Sequence, residues 1–383
     1  MKCKLSDICS FRKGKVEVEN LNVKNYISTE NMLPNKCGIT EASSLPTVSL
    51  TQEYNSGDVL VSNIRPYFKK IWQAEYDGGC SNDVLVFVPK PNTDKDFLYY
   101  VLADDDFFTY SMATSKGTKM PRGDKTSIMQ YEVPLIDLQV QKKIASVLKA
   151  LDERIKLNNE INNNLEQQIS ALFINMFGFN IDNLVDNKFS LGDLVESVDN
   201  RGKTPPLSDK PTSYPIIDVK ALSGDIRIVD YNNCTKYVDE ETYNNWFRSG
   251  HPKQYDILIS TVGSLAEMKI FLGDIGCIAQ NVVGFRSKGV SPLYLYQYLN
   301  YIKSDLVAYN IGSVQPSIKV THIIKHPIYV APQDELDKFD SVARSITEKI
   351  FANCQENESL KLLRDTLLPK LMSGELDVSN IEI

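Results

Sequence analysis

Apolar residues recur at alternating steps of three and four along two stretches of the chain, which is the spacing of a coiled-coil seam. The first seam occupies positions 144, 148, 151, 155, 158, 162, 165, 169, 172 and 176, which read Ile, Leu, Leu, Ile, Asn, Asn, Leu, Ile, Leu and Met. The second seam lies 195 residues later and runs from Phe339 to Leu371. The pattern predicts two long amphipathic helices.

Both seams are interrupted by two asparagines at the same central steps, Asn158 and Asn162 in the first and Asn353 and Asn357 in the second. Asparagine is a poor helix former, but a buried pair satisfies its hydrogen bonds in one register only. We expect the helices to pair antiparallel about a pseudo-two-fold axis, with Asn158 opposite Asn357 and Asn162 opposite Asn353. The alternative is that Asn158 and Asn162 face solvent near a helix break.

The segments that precede the two helices also repeat each other. "SGDVLVSN" at 56–63 returns as "QYDILIST" at 254–261, and "CSNDVLVF" at 80–87 parallels "IAQNVVGF" at 278–285. Short β-branched runs bounded by Gly, Pro and Asn predict strands. The chain is therefore a duplication of one unit, a mixed α/β block followed by a helix.

This pattern predicts an α+β fold with two similar mixed α/β domains, separated by two long helices that form an antiparallel coiled coil. The predicted divisions are 1–137 for the first domain, 138–177 for the central helix, 178–332 for the second domain, and 333–383 for the C-terminal helix and tail. A helix over residues 138–175 would be roughly 55 Å long at about 1.5 Å per residue. Such a spacer suits one extended ligand with two separated features, and duplex DNA is the obvious candidate.

Composition excludes several classes of function. Seven cysteines are scattered among 383 residues without CxxC spacing, and there are three histidines, so we predict neither a metal site nor a cofactor. The chain has no apolar run long enough for a membrane helix and no signal-peptide core at its N-terminus, so we expect no membrane partner and a cytoplasmic location.

Net charge does not decide whether the ligand is DNA. The chain carries a formal charge of −7, but residues 333–383 contain 6 Lys+Arg against 11 Asp+Glu, a balance of −5. The rest of the chain is therefore close to neutral, and each domain can present a basic face.

Three segments resemble one protein family. "LLPKLMSGELDV" at 367–378 looks like the C-terminal signature of the specificity subunit of type I restriction–modification systems. "VPLIDLQVQKKIASVLKALDERI" at 133–155 resembles that family's central region, although "PLIDLQVQ" lacks two prolines and an acidic residue that are common there. "RGKTPP" at 201–206 is common near the start of its target-recognition domains. The resemblance covers the whole chain.

The resemblance implies a protein that reads DNA and catalyses nothing. Each target-recognition domain would read one half of a split double-stranded DNA target, with the unread gap set by the helices. The helices would dock two methyltransferase subunits, and restriction (motor-nuclease) subunits would join the complex. By analogy, the methyltransferase would flip the target adenine out of the duplex. The alternative is a coiled-coil protein-interaction adaptor without specific DNA binding.

Candidate DNA contacts are basic and polar side chains on loops, because Arg can pair with guanine whereas Lys and loop amides more often hold phosphates. In the first domain they are Arg65, Tyr67, Lys69, Lys70, Lys116, Lys119, Arg122 and Lys125. In the second domain they are Arg201, Lys203, Ser260, Thr261, Ser264, Lys269, Ser313, Gln315, Ser317 and Lys319. The alternative is that these side chains are merely solvent-exposed residues of surface loops and do not contact DNA.

A nuclease site is a further alternative. Asp256 followed by "EMK" at 267–269 loosely matches the acidic pair and lysine with which many nucleases hold Mg²⁺. The spacing is common by chance, and the first domain has Asp58 but no such triplet. We therefore predict no catalytic residues.

Overall fold

The computed structural model describes residues 2–183 and 189–378. The chain forms two compact units. The first unit comprises Met1–Ile155 together with Glu358–Ile383, and the second unit comprises Lys156–Asn357. Each unit therefore contains one α/β block and part of each long helix.

The first unit contains ten strands and four short helices before its long helix begins. The strands are β1 (Lys2–Lys4), β2 (Cys9–Phe11), β3 (Lys15–Glu17), β4 (Tyr26–Ile27), β5 (Leu50–Tyr54), β6 (Val59–Ser62), β7 (Ile71–Gln73), β8 (Gly78–Cys80), β9 (Val84–Pro89) and β10 (Glu132–Pro134). The helices are α1 (Leu5–Ile8), α2 (Lys95–Ala103), α3 (Asp105–Ala113) and α4 (Lys125–Ile128), and the long helix α5 (Leu138–Phe173) follows.

The strands of the first unit form two four-stranded sheets and one two-stranded ladder. The order is β2-β9-β6-β7 in one sheet and β3-β5-β8-β4 in the other, while β1 pairs with β10. Apolar residues of the first sheet pack with α2 and α3 in one core. The Asp94 carboxylate caps α2 by accepting from the backbone N–H groups of Asp96 and Phe97, which satisfies two donors that the helix leaves free.

The second unit repeats this plan. Its strands are β11 (Phe189–Ser190), β12 (Val195–Val198), β13 (Tyr214–Ile217), β14 (Tyr237–Val238), β15 (Ile257–Ser260), β16 (Met268–Ile270), β17 (Cys277–Ile278), β18 (Val282–Ser287) and β19 (Pro327–Ile328). Its helices are α6 (Phe179–Asp182), α7 (Leu191–Leu194), α8 (Glu240–Asn245), α9 (Pro292–Tyr301), α10 (Lys303–Ala308), α11 (Val320–Ile323) and the long α12 (Gln333–Ser373). The main sheet has the order β12-β18-β15-β16, β14-β13-β17 forms a smaller sheet, and β11 pairs with β19.

The duplicated strands have the same register in both main sheets. Val59 lies opposite Phe87 in β6 and β9, and Ile257 lies opposite Phe285 in β15 and β18. Asp58 immediately precedes β6, and Asp256 immediately precedes β15. Each is buried and forms a two-bond ion pair with an arginine. Arg12 binds Asp58 at 2.5 and 2.9 Å, whereas Arg286 binds Asp256 at 3.1 and 2.7 Å.

The two long helices begin at residues 138 and 333, and α5 continues into a π-helical turn at Ile174–Gly178. Each helix belongs to both units, because the compact units divide between Ile155 and Lys156 and between Asn357 and Glu358. The four-part division predicted from the sequence cuts the chain elsewhere and stays a prediction.

All four seam asparagines are buried. Asn158 Nδ2 donates to Asn357 Oδ1 at 3.0 Å, and Asn353 Nδ2 donates to Asn162 Oδ1 at 2.8 Å. Residue numbers rise along one helix as they fall along the other, so the helices pair antiparallel. The solvent-exposed alternative is wrong, because α5 continues unbroken through this region.

Candidate DNA-recognition site

Two loops of the first unit are joined by backbone hydrogen bonds. The Arg65 N–H donates to the carbonyl of Pro121 at 2.8 Å, and the Gly123 N–H donates to that of Asn63 at 3.1 Å. The structure thus brings together the two basic segments that the sequence singled out. We call residues 63–70 and 115–125 the first loop pair.

The cations of the first loop pair differ in how firmly they are held. Lys119 and Lys125 are exposed, whereas Lys70 Nζ donates to the Thr29 carbonyl at 2.6 Å and burial lowers its pKa. Three others form ion pairs, Lys69 with Asp105, Lys116 with Asp124 and Arg122 with Asp83, at 2.7, 2.5 and 3.1 Å. Exposed ion pairs contribute little to stability.

Asp124 is held in its charged form. The hydrogen bond from Lys116 lowers the pKa of its carboxyl to about 2, and this carboxylate also caps α4 by accepting from the Ser127 N–H. The loop therefore carries a fixed negative charge beside its lysines at neutral pH. Of the remaining predicted residues, Tyr67 is exposed and Arg65 is half-buried.

The second unit joins two loops by equivalent bonds. The Gly263 N–H donates to the carbonyl of Pro316 at 3.0 Å, and the Ile318 N–H donates to that of Thr261 at 2.8 Å. These positions correspond to Arg65, Pro121, Gly123 and Asn63 of the first unit. We call residues 260–269 and 312–319 the second loop pair. Of its predicted contact residues, Ser264, Ser313, Gln315 and Lys319 are exposed and Ser317 is half-buried. Val314, which was not predicted, is 98% exposed.

Three residues predicted to contact DNA in the second loop pair are buried instead. Ser260 Oγ donates to the Ser264 carbonyl and accepts from the Glu267 N–H, so this buried hydroxyl group connects two positions of the loop backbone. Thr261 donates through its backbone N–H to Asn281. Lys269 is 2% exposed, and its Nζ donates to the carbonyls of Gly224 and Ile226. The prediction of DNA contact is corrected for these three side chains, because none reaches the surface.

The segment 201–206 lies beside the second loop pair. Arg201 forms a two-bond ion pair with Asp199 at 2.9 and 2.7 Å, while Lys203 is exposed. Thr204 accepts from Gln280 at 2.5 Å, and the next residue, Asn281, holds the backbone of Thr261. Lys203 is therefore on a loop tied to the same part of the domain.

Each residue of the alternative nuclease site has another side-chain or backbone partner. Asp256 is paired with Arg286, Glu267 pairs with Lys303 at 3.1 Å, and Lys269 is buried among carbonyls, where burial lowers its pKa. Residues 2–183 and 189–378 contain no group of three side chains placed to hold a metal ion. Over the same residues, no helix is long and apolar enough to cross a membrane.

Comparison with known proteins identifies the family. The family model described as the type I restriction modification DNA specificity domain matches the chain twice, over residues 1–167 and 186–353. The chain belongs to this family. Two copies of the domain account for the duplication, and the subunit's function is DNA recognition rather than catalysis.

Relatives of this specificity subunit come from archaea and bacteria. It is 24% identical over 314 residues to the type I restriction enzyme MjaIX specificity subunit of Methanocaldococcus jannaschii, covering 77% of this chain and 72% of the relative. It is 24% identical over an alignment of 437 residues to the HindI specificity subunit of Haemophilus influenzae, covering 92% and 94%. A crystal structure of the type I system S subunit from M. genitalium has the same fold, with a TM-score of 0.57, 16% identity and coverage of 99% and 96%.

Sequence reasoning missed residues that anchor the specificity domains to the helices. In the second unit Arg227 is fully buried and binds both carboxylate oxygens of Glu166 on α5, at 3.0 and 2.7 Å, while its Nη1 donates to Thr347 Oγ1 on α12 at 3.0 Å. In the first unit Asp152 on α5 accepts from Tyr100 and from Arg364 on α12, each at 2.7 Å. A charged residue carries no signal of burial in a single sequence.

Proposed function

We propose that the first loop pair reads one half of a split double-stranded DNA target and the second loop pair reads the other. The observation that carries this proposal is the set of equivalent backbone bonds, Arg65 to Pro121 in the first unit and Gly263 to Pro316 in the second. Each unit presents different side chains on the same rigid support. That arrangement suits two half-sites of different sequence.

Within each loop pair the long cations and amides would supply the contacts. Arg122 and Gln315 can each form two hydrogen bonds with a base edge, guanine for Arg and adenine for Gln. Lys119, Lys203 and Lys319 would hold phosphates, which fixes the position of the domain without reading sequence. Arg65, Lys69, Lys70, Lys116, Lys125, Arg201, Ser264, Ser313 and Ser317 remain in the proposed contact set.

The long helices would fix the unread gap and carry the partners. In this proposal the paired helices dock two methyltransferase subunits, and restriction subunits join the assembly in the cytoplasm. The target adenine would be flipped from the duplex by the methyltransferase, because its N6 is hard to reach inside the stack. The adaptor alternative, with protein binding only, predicts that DNA affinity does not depend on sequence.

The test begins with the methylated adenines of host DNA, mapped with and without this gene. Loss of one split motif on deletion supports the proposal, and no lost motif would falsify it if the partner subunits are expressed. The motif then supplies duplexes in which either half is scrambled. Binding is measured with the chain in complex with its methyltransferase partner at fixed salt.

Two variants give a matched comparison. Arg122→Ala should weaken discrimination of one half-site by roughly 5- to 100-fold, and Gln315→Ala should do the same for the other half-site only. If both variants weaken the same half-site, or neither weakens any, the assignment of loop pairs to half-sites is wrong. Sequence-independent binding by the unaltered complex would favour the adaptor.

A further inference from the structure

In the first loop pair, the turn between β6 and β7 is flanked by two residues with left-handed backbone conformation. Arg65 and Lys69 have φ of 51° and 50°, a conformation that non-glycine residues rarely adopt. A second segment supports them, because the N–H groups of Asn35 and Lys36 donate to the carbonyls of Phe68 and Lys69 at 2.8 and 2.9 Å. Asn35 and Lys36 are left-handed as well. Unfavourable conformations that are held together in this way tend to occur at functional sites.

In the second unit a shorter turn is likewise flanked by two residues with left-handed backbone. We call such a flanking pair the bracket. Gly263 and Ala266 have φ of 85° and 55° and occupy the positions equivalent to Arg65 and Lys69. The turn lies between β6 and β7 in the first unit and between β15 and β16 in the second. It contains Pro66, Tyr67 and Phe68 in the first unit but only Ser264 and Leu265 in the second. The bracket is common to both domains, and its contents differ.

The difference places aromatic surface in solvent. Tyr67 and Phe68 are 49% and 38% exposed, with their ring centroids 4.7 Å apart, whereas Leu265 in the second unit is buried. Because the bracket fixes the backbone on both sides, the two rings form a rigid projection. We call Tyr67 and Phe68 the aromatic tip.

The aromatic tip is surrounded by cations, two of which, Lys69 and Arg122, are paired with exposed carboxylates. Arg65 and Lys69 flank it directly, Lys70 Nζ lies 5.9 Å from the Phe68 ring, and Arg65 is bonded to the loop that carries Lys119 and Arg122. Apolar side chains set among phosphate-binding cations are typical of proteins that contact thymine methyl groups or press against base steps. A docking surface for another protein would have less reason to carry this charge.

We propose that the aromatic tip contacts bases of the half-site read by the first loop pair, and that Phe68 is a specificity-determining residue. The proposal rests on the proposed function and adds an apolar contact to its polar ones. The turn of the second loop pair has no aromatic tip, because it is shorter and its leucine is buried, and the exposed apolar side chain of that loop pair is Val314 on its other segment. The two halves of the target would therefore be read by different chemistry.

The experiment uses the chain in complex with its methyltransferase partner and the duplexes with scrambled halves. Phe68→Ala should lower discrimination of one half-site by roughly 5- to 100-fold and leave the other unchanged. It should affect the same half-site as Arg122→Ala. Phe68→Leu, which keeps an apolar tip, should retain part of the discrimination. Where the affected half-site contains thymine, replacing it with uracil should reduce affinity for the unaltered complex but not for Phe68→Ala.

Phe179→Ala is the matched control, since Phe179 is a more exposed phenylalanine, 76% accessible, outside the loop pairs. It should leave discrimination of both half-sites unchanged. Unchanged discrimination in Phe68→Ala overturns the aromatic tip while leaving the proposed function intact. Failure of Phe68→Ala to assemble with the methyltransferase assigns the tip to a protein contact and also overturns it. If the unaltered complex does not distinguish scrambled halves, the proposed function itself fails.

Discussion

Asn353 donates from its side-chain amide to Asn162 Oδ1 at 2.8 Å, in the buried seam between α12 and α5. The second asparagine pair is more heavily connected, because Asn158 also donates to Glu356 and Asn357 also donates to Asn159. Asn162 also donates to Cys354 Sγ at 3.6 Å, but the Asn162–Asn353 pair has fewer further partners and is therefore the simpler pair in which to measure what a polar seam position does.

Replacing one member of this pair should cost more than replacing both. Asn162→Leu removes the acceptor of a buried amide, and we expect the free energy of unfolding to fall by about 1–3 kcal/mol. Asn162→Leu with Asn353→Leu should recover stability but lose the unique register. Denaturant unfolding measures the first effect, and hydrogen exchange across α5 measures the second. A double variant with one uniform exchange pattern would contradict the register role.

For the Arg227–Glu166 pair too, we expect that replacing one residue costs more stability than replacing both. Glu166→Gln leaves a fully buried guanidinium without a counter-charge, so the second unit should lose about 3 kcal/mol. Glu166→Leu with Arg227→Met should be closer to the unaltered protein, because no buried charge remains. Asp199→Asn provides the control, since it breaks a more exposed pair with Arg201 and should cost below about 1 kcal/mol. Equal losses in both single variants would show that burial does not set the cost.

Periodic features of this fold could be predicted from the sequence. The seam with its asparagines is a local pattern that occurs twice, so the antiparallel pairing could be inferred from the spacing and its repetition. The fold class could also be predicted from the repeated strand segments, which keep the same register in both domains. Asn159 lies off the seam, yet it accepts from Asn357, a contact that spacing does not encode.

The candidate site was predictable only in part. That two basic loops come together depends on single backbone bonds such as Arg65 to Pro121, which local patterns do not reveal. Lys269 was expected at the surface, yet its strand is buried throughout and loop carbonyls satisfy its ammonium group. Phe68 was missed because its exposure depends on backbone bonds from a distant segment. These are tertiary effects that override residue type.

Cysteine reactivity should follow burial. Burial raises the pKa of Cys80 and Cys277 to about 12, so at pH 8 only about one molecule in 10⁴ carries the reactive thiolate, against roughly a quarter for an ordinary thiol of pKa ~8.5. Cys37 is exposed. We expect iodoacetamide to modify Cys37 first, as followed by peptide mass spectrometry, and all seven cysteines to react after denaturation. Equal native rates for Cys37 and Cys80 would contradict the buried placement.

Salt dependence separates a lysine that holds phosphate from one that holds the fold. Lys319→Ala should reduce the slope of log affinity against log salt by about 0.9, because one counterion fewer is released. Lys338→Ala is the matched control, an exposed lysine on α12 paired with Asp334, and should leave the slope unchanged. Lys269→Met should leave the slope unchanged and lower the melting temperature, because two carbonyls lose their donor. A reduced slope in Lys269→Met with unaltered stability would restore Lys269 as a DNA contact.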